Sequence, residues 1–505
     1  MDLTEEDLKV IIESVMTNVE AALADKEENQ SQRPIQMKQI SVQERPRKSI
    51  AQQEEKGVFA EVKAAVAAAA VAQKQLMKDH TIIEREAMIA AIRKNILAEK
   101  EALANLVYEE TKLGNLKSKL AKLELVCELT PGTEDLKTDS FTGANGLTFV
   151  ENAPYGVVGA VTPVTNPIDT IINNTIGLVA AGNSIVFNVH PGSVQSCMKV
   201  VQMINEAIQS EGGPANVVTM VRKPTMDSLK EIIASPEVKL LVGTGGPGMV
   251  KTLLQSGKKA IGAGAGNPPV IIDETADLKK AAEAVIAGAS FDNNLLCIAE
   301  KEVFVLDEVA DEFIFEMLSA GAQMLNRHQV AEVMDFALVS NENNIRGGCS
   351  YKRRNYLVAK EWIGQDAHLF LEKLNIPHQQ PDLLICEVDF NHPFVQLEQM
   401  MPILPIVRVK DLEEAIELAV KAEHGNRHTA IMHSKNLDAI TKFAKAIETT
   451  LFITNAPSLA GVGYLGEGHT TMTIAGPTGE GVTSAKTFTR QRRTVIADGG
   501  LNIIG

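Results

Sequence analysis

Hydrophobic positions recur at helical spacing through the first quarter of the chain and then give way to short β-type runs. Leu8, Ile11, Ile12, Val15, Met16 and Val19 form one apolar stripe, so residues 3–23 read as an amphipathic helix. Thr4 suits an N-cap, and Glu5, Glu6 and Asp7 suit the positive end of the helix dipole. Residues 24–56 are rich in Gln, Glu, Lys and Arg, carry Pro34 and Pro46, and hold no period. Such a stretch buries too little apolar area to offset its ordering entropy and reads as a flexible linker. The main body begins near Gly57. The spacing predicts long helices at 58–77 and 82–113, the second closed by Gly114 and Asn115. Residues 136–152 read as a β-hairpin with Asn145-Gly146 at the turn that requires positive φ.

From there strands at 155–164, 184–189, 216–221 and 239–243 alternate with helices at 170–181, 194–210, 226–234 and 248–256. A second alternating block runs from about 269 to 451. This rhythm implies an α/β fold with mainly parallel sheets covered by helices on both faces. The helix at 3–23 has two readings on spacing alone: it folds back onto the main body, or it docks in a partner's groove.

Composition narrows the function classes. A chain of 505 residues has room for about three domain-sized units. Its net charge of −15, with acids and bases mixed, argues against nucleic acid, whose phosphates require a basic face. No run reaches the length of a membrane span, and the N-terminus lacks the basic-then-apolar order of a secretion signal. The five cysteines are dispersed, with no CxxC pair, which fits reduced thiols in a cytoplasmic protein and gives no metal-ligand spacing.

Three places carry candidate chemistry. The turn Gly243-Thr244-Gly245-Gly246-Pro247-Gly248 sits between a strand and a helix, where backbone N–H groups can meet phosphates; glycine-rich βα turns are common, so alone it is a weak signal. Asn166, in Thr165-Asn166-Pro167, lies past a strand's C-terminal end, where its carboxamide N–H groups can hold an oxyanion; on sequence alone an ordinary Asn-Pro turn is the simpler account. Cys297, between Leu296 and Ile298, is a nucleophile or an inert buried thiol.

These sites, in this order, resemble the aldehyde dehydrogenase superfamily over nearly all of 57–505. The run Ile261-Gly262-Ala263-Gly264-Ala265-Gly266-Asn267-Pro268-Pro269, the stretch 291–300 around Cys297, and Glu398-Gln399-Met400-Met401-Pro402 resemble its coenzyme-A-acylating branch. Residues 468–471 and 478–481 agree, and the chain looks like the propionaldehyde and acetaldehyde dehydrogenases enclosed in bacterial microcompartments. The resemblance implies a Rossmann-type cofactor domain at 57–272 interrupted by the hairpin 136–152, a catalytic domain at 273–482, and a β oligomerisation segment at 483–505. It implies Cys297 as nucleophile, Asn166 as oxyanion donor, and His428 as the group assisting the coenzyme A thiol. It also implies NAD contacts from Thr165, Thr244, Gly245, Gly246, Gly264 and Glu398.

Hydrolytic relatives open the glycine-rich segment with a glutamate that activates water, whereas no acid occurs here between Glu237 and Asp273. The chain departs from the superfamily where a lysine usually contacts the adenosine ribose: Phe187-Asn188-Val189-His190-Pro191 offers His190 instead. The resemblance turns 3–23 and 24–56 into a targeting helix on a tether that docks a microcompartment shell protein. It further implies a short-chain aldehyde substrate and a homodimer or homotetramer. A hydrolytic dehydrogenase and a catalytically silent shell-binding protein are the competing readings.

Overall fold

The computed structural model describes residues 56–340 and 356–503. The helix expected at 3–23, the linker and Cys349 lie outside them. The described residues form one compact unit.

Six parallel strands make the first sheet, in the spatial order Val58–Phe59, Val218–Val221, Ser184–Asn188, Val157–Val161, Val238–Thr244, Lys259–Ala263. The chain moves outward from Val157–Val161 in one direction and then returns to continue on its other side. Adjacent connections therefore leave on opposite faces at that strand, which opens a crevice at its C-terminal end. The helix that starts there, Pro167–Ala180, is buried along its whole length. Val194–Ser210 and Met226–Ala234 form as the hydrophobic spacing predicts.

The second sheet has seven parallel strands in the order Gln323–Met324, Leu384–Glu387, Ile403–Val409, Glu302–Leu306, Pro269–Ile272, Thr429–His433, Leu451–Thr454. Pro269–Ile272 pairs on both sides within this sheet, so the chain has already crossed from one sheet to the other between Ala263 and Pro269. The division expected after residue 272 thus falls one strand late. Two short apolar runs separated only by small residues carry no periodicity that marks the change.

Local chemistry explains two further differences. The helix expected over 82–113 is two helices, Ile82–Ala98 and Lys100–Thr111, meeting at Glu99 (φ −112°, ψ 15°) without proline or glycine. Asn115 does not close a helix; its side chain accepts the Ser118 N–H at 2.9 Å and starts the helix Leu116–Leu129. Among the described residues no helix is long and apolar enough to cross a membrane.

The hairpin pairs Asp139–Gly143 with Gly146–Pro154, and Thr489–Ile496 adds a third antiparallel strand. Positive φ falls on Gly146 (+113°), the first residue of the returning strand. A Cβ there would lie 2.0 Å from the Ile496 carbonyl oxygen, so the C-terminal strand can approach only a glycine. Gly146→Ala should therefore peel the end of Thr489–Ile496 from the hairpin and lower stability by about 1–3 kcal/mol. Thermal unfolding of the variant checks this.

Candidate active site

The two sheets offer opposite ends to one cleft. At the first, the residues singled out by sequence follow the C-terminal ends of neighbouring strands. Val161 is in register with both Asn188 and Gly243, and Thr244 with Ala263. Thr165 and Asn166, His190, the turn Thr244-Gly245-Gly246, and Gly264 consequently share one edge. At the second sheet the order inverts. Gly266, Cys297, Glu398 and His428 each precede one of four adjacent strands, at Pro269, Glu302, Ile403 and Thr429.

Close packing joins the second set. Gly266 donates its N–H to Glu398 Oε1 at 3.3 Å. A Cβ on Gly266 would meet the Cys297 carbonyl oxygen at 2.4 Å and the His428 ring at 3.1 Å. His428 is buried; its Nδ1 bonds Thr429 Oγ1 at 2.8 Å, and its Nε2 has no partner among the described residues.

The loop that presents Cys297 is built from three consecutive left-handed residues, Asp292 (φ 48°), Asn293 (φ 56°) and Asn294 (φ 66°). Asp and Asn tolerate this region because their short polar side chains can bond nearby groups. Each is anchored. Asp292 takes the Asn115 N–H at 3.0 Å and the Lys122 ammonium at 2.6 Å. Asn293 donates to the Gly364 carbonyl at 2.9 Å and to Asp366 Oδ1 at 2.7 Å. Asn294 Oδ1 and carbonyl both accept from buried Lys301, at 2.6 and 2.7 Å, and Lys301 also reaches the Leu296 carbonyl at 3.1 Å. Lys122 crosses to the other set as well, donating to Asn166 Oδ1 at 2.7 Å. Beside Cys297 lies a cavity of ≈ 30 Å³ lined by Leu125, Leu296, Ile298, Tyr464 and Met472 among others.

The family profile described as "Aldehyde dehydrogenase family" matches residues 34–476. The chain belongs to the aldehyde dehydrogenase family. It is 44% identical over 447 residues to the acetylating acetaldehyde dehydrogenase EutE of Salmonella typhimurium, covering 88% of this chain and 93% of that one. A propionaldehyde dehydrogenase from the Clostridium phytofermentans fucose utilisation bacterial microcompartment superposes with a TM-score of 0.84 at 46% identity, covering 89% of this chain and 100% of its own. The Rhodopseudomonas palustris propionaldehyde dehydrogenase with bound CoA and an acylated cysteine gives 0.83 at 46% identity, covering 88% and 99%.

Within this aldehyde dehydrogenase the sequence candidates fall into place unevenly. Thr244 Oγ1 bonds Thr473 Oγ1 at 2.9 Å, and the Gly262 N–H bonds Thr478 Oγ1 at 3.2 Å, so the turn is tied to the 470–478 segment. Of the glycines, Gly266 is the one hemmed in by the site; Gly264 is open apart from Pro477. His190 is exposed and spends Nδ1 on the Gly192 N–H at 3.0 Å, capping the turn Pro191–Ser193. The site depends on Lys122, Asp292 and Lys301, none of which sequence reasoning picked. Ser118, Lys119 and Lys122 share one helical face by their spacing, but lysines between leucines read as a solvated edge. The run Asp292-Asn293-Asn294 was the available signal, since three residues tolerant of positive φ stand directly before the cysteine.

Burial sets the electrostatics. It pushes the half-buried Cys297 thiol up to about 12, Glu398 adds to the rise, and Lys301 opposes it. The Glu398 carboxyl is itself raised by burial, against the pull of Lys301 and the Gly266 N–H. Lys301 falls to about 8 through burial. His428 falls to about 4 through burial and the nearby Lys301, so it is neutral at pH 7 rather than poised to titrate there, as an unperturbed imidazole would be. The other described cysteines, Cys127, Cys197 and Cys386, are fully buried. Because the Glu398 charge disfavours the thiolate, Glu398→Gln should lower the Cys297 pKa and speed its alkylation by iodoacetamide at pH 8 by about three- to tenfold. Mass-spectrometric rates on Cys297 check the sign.

Proposed function

We propose that this aldehyde dehydrogenase converts a short-chain aldehyde, NAD and coenzyme A into acyl-CoA and NADH, reversibly, through a thioester on Cys297. The observation that carries the reading is the run of Gly and Ala leading to the Cys297 site, which holds no carboxylate. The segment that would supply a water-activating carboxylate is Gly and Ala from 262 to 266, and at Gly266 the fold has no room for a side chain. Without such a base, water attacks the acyl-enzyme slowly and a thiolate competes well. The bound CoA and acylated cysteine of the Rhodopseudomonas relative support the same chemistry.

Cys297, as thiolate, attacks the carbonyl carbon and forms a thiohemiacetal. The Asn166 carboxamide and the Cys297 backbone N–H hold the oxyanion. Loss of hydride from that carbon leaves the thioester. The coenzyme A thiol, giving its proton to the unpaired Nε2 of His428, then displaces Cys297 as acyl-CoA. The sum is aldehyde, NAD⁺ and thiol giving thioester, NADH and a proton. A bound nicotinamide supplies the hydride acceptor. The residues fit such a group: a Cβ at Gly246 or Gly248 would meet nothing within 4 Å, so the turn's backbone is open to a diphosphate, and Glu398 stands beside Cys297. Thr244, Gly245, Gly246 and Glu398 would hold it, with Thr165, Gly264 and His190 along the same edge. The narrow, mostly apolar cavity beside Cys297 favours a short alkyl chain.

Incubation with acetaldehyde or propionaldehyde and NAD should produce NADH continuously only when coenzyme A is added. Cys297→Ala should abolish turnover, and the acyl label should sit on Cys297. Sustained turnover without coenzyme A would favour the hydrolytic reading.

The microcompartment relative supports a cargo role, with residues 1–23 as the targeting helix and 24–56 as its tether. The three-stranded arm, with Phe141 and Val495 exposed, suits a homodimer or homotetramer. Deleting residues 1–23 should leave kcat unchanged and abolish co-sedimentation with shell protein; lost turnover in a folded variant would refute the division of labour.

A further inference from the structure

We infer that Lys122 is a positioning residue for the reaction, fixing both the rotation and the polarity of the Asn166 carboxamide. The inference rests on the reading of Asn166 as oxyanion donor given above.

An ammonium group donates three hydrogen bonds and accepts none. The Lys122 Nζ meets Asn166 Oδ1 at 2.7 Å, Asp292 Oδ2 at 2.6 Å and Asp169 Oδ2 at 3.5 Å, and the side chain is buried. The carboxamide atom facing it must therefore be oxygen, which turns both N–H donors of Asn166 the other way. Among the described residues those donors meet Thr165 Oγ1, at 3.5 Å.

The helix itself offers Asn166 a competing arrangement. Asn166 occupies the N-cap of Pro167–Ala180, where an asparagine oxygen ordinarily turns back to accept an N–H of the first turn. Here no such capping bond forms. The charged bond to Lys122 draws the oxygen off the helix and leaves the amide donors free. A cation at the oxygen also polarises the amide, strengthening those donors. The same Nζ grips Asp292, the first left-handed residue of the cysteine loop, so oxyanion donor and nucleophile are referenced to one atom. Burial opposes the Lys122 charge, but Asp292 and Asp169 hold its ammonium above its ordinary value. Lys119, at 3.5 Å from Asp292, balances the group at two lysines and two aspartates.

Lys122→Met in the full-length enzyme should lower kcat for aldehyde oxidation by about 10²–10³-fold, the size expected for a lost oxyanion donor. The aldehyde KM should change less than about threefold, because binding does not use the donor. Asn166→Ala added to Lys122→Met should cost less than about another threefold, since both remove the same interaction. Losses that multiply, or a Lys122→Met enzyme with normal kcat, overturn the proposal while leaving Asn166 in its role. An Asn166→Ala enzyme with normal kcat overturns the oxyanion reading itself, and this inference with it. Because Lys122→Met leaves one buried carboxylate uncompensated, Lys122→Met/Asp292→Asn restores the charge balance and keeps an acceptor for Asn115. That variant should be folded, by thermal unfolding, and equally slow; recovered kcat in it counts against the proposal.

Discussion

The site depends on holding three successive residues in a conformation that L-amino acids avoid. A left-handed residue costs about 1–2 kcal/mol for an ordinary side chain and less for Asp or Asn. Asp292, Asn293 and Asn294 adopt it together because every one of their side chains is bonded to a separate element. Lys122 on the helix Leu116–Leu129, Gly364 and Asp366 on a distant loop, and Lys301 at the head of a strand all converge there. The return is a cysteine delivered against Gly266 at the mouth of the second sheet. Removing any one partner would leave a buried charge or an unmet donor or acceptor in a buried region, where such groups are most costly.

That arrangement explains why chemistry collects where two sheets meet by unlike ends. In parallel sheets, ligands usually sit at the C-terminal ends of the strands. The first sheet obeys, presenting Asn166 and Thr244. The second brings its N-terminal ends, so its candidate residues lie on the loops entering the strands: Gly266, Cys297, Glu398 and His428. The edge proposed to hold the cofactor and the proposed nucleophile can then face each other across a single segment of small residues.

Much of the architecture was legible in the residue pattern, because amphipathic helices such as Val194–Ser210 and Met226–Ala234 betray themselves by period. The polar candidates could be marked by type and place, yet their weight came from resemblance, since a cysteine between Leu296 and Ile298 is ordinary core on its own. Glu99 was not legible because it carries no breaker, and the glycines and proline between the sheets mark a loop without telling that the chain changes sheet there. Lys122 and Lys301 were invisible for another reason. A lysine is buried only when tertiary structure brings acceptors to it, and those acceptors lie 44 and 170 residues away for Lys122. His428 was found, but its neutrality belongs to its surroundings and not to its identity.

The C-terminal strand has a consequence for biogenesis. Gly146–Pro154 carries an open edge until Thr489–Ile496 pairs with it, and Phe488 accepts from Asn183 only then. Residues 489–496, more than 330 positions after the hairpin, must therefore emerge before the arm can close. During synthesis the nascent hairpin exposes unpaired backbone, an adhesive state that chaperones or speed of completion must cover. Any pairing of subunits through this arm, as proposed above, must wait until both of its distant segments have been made.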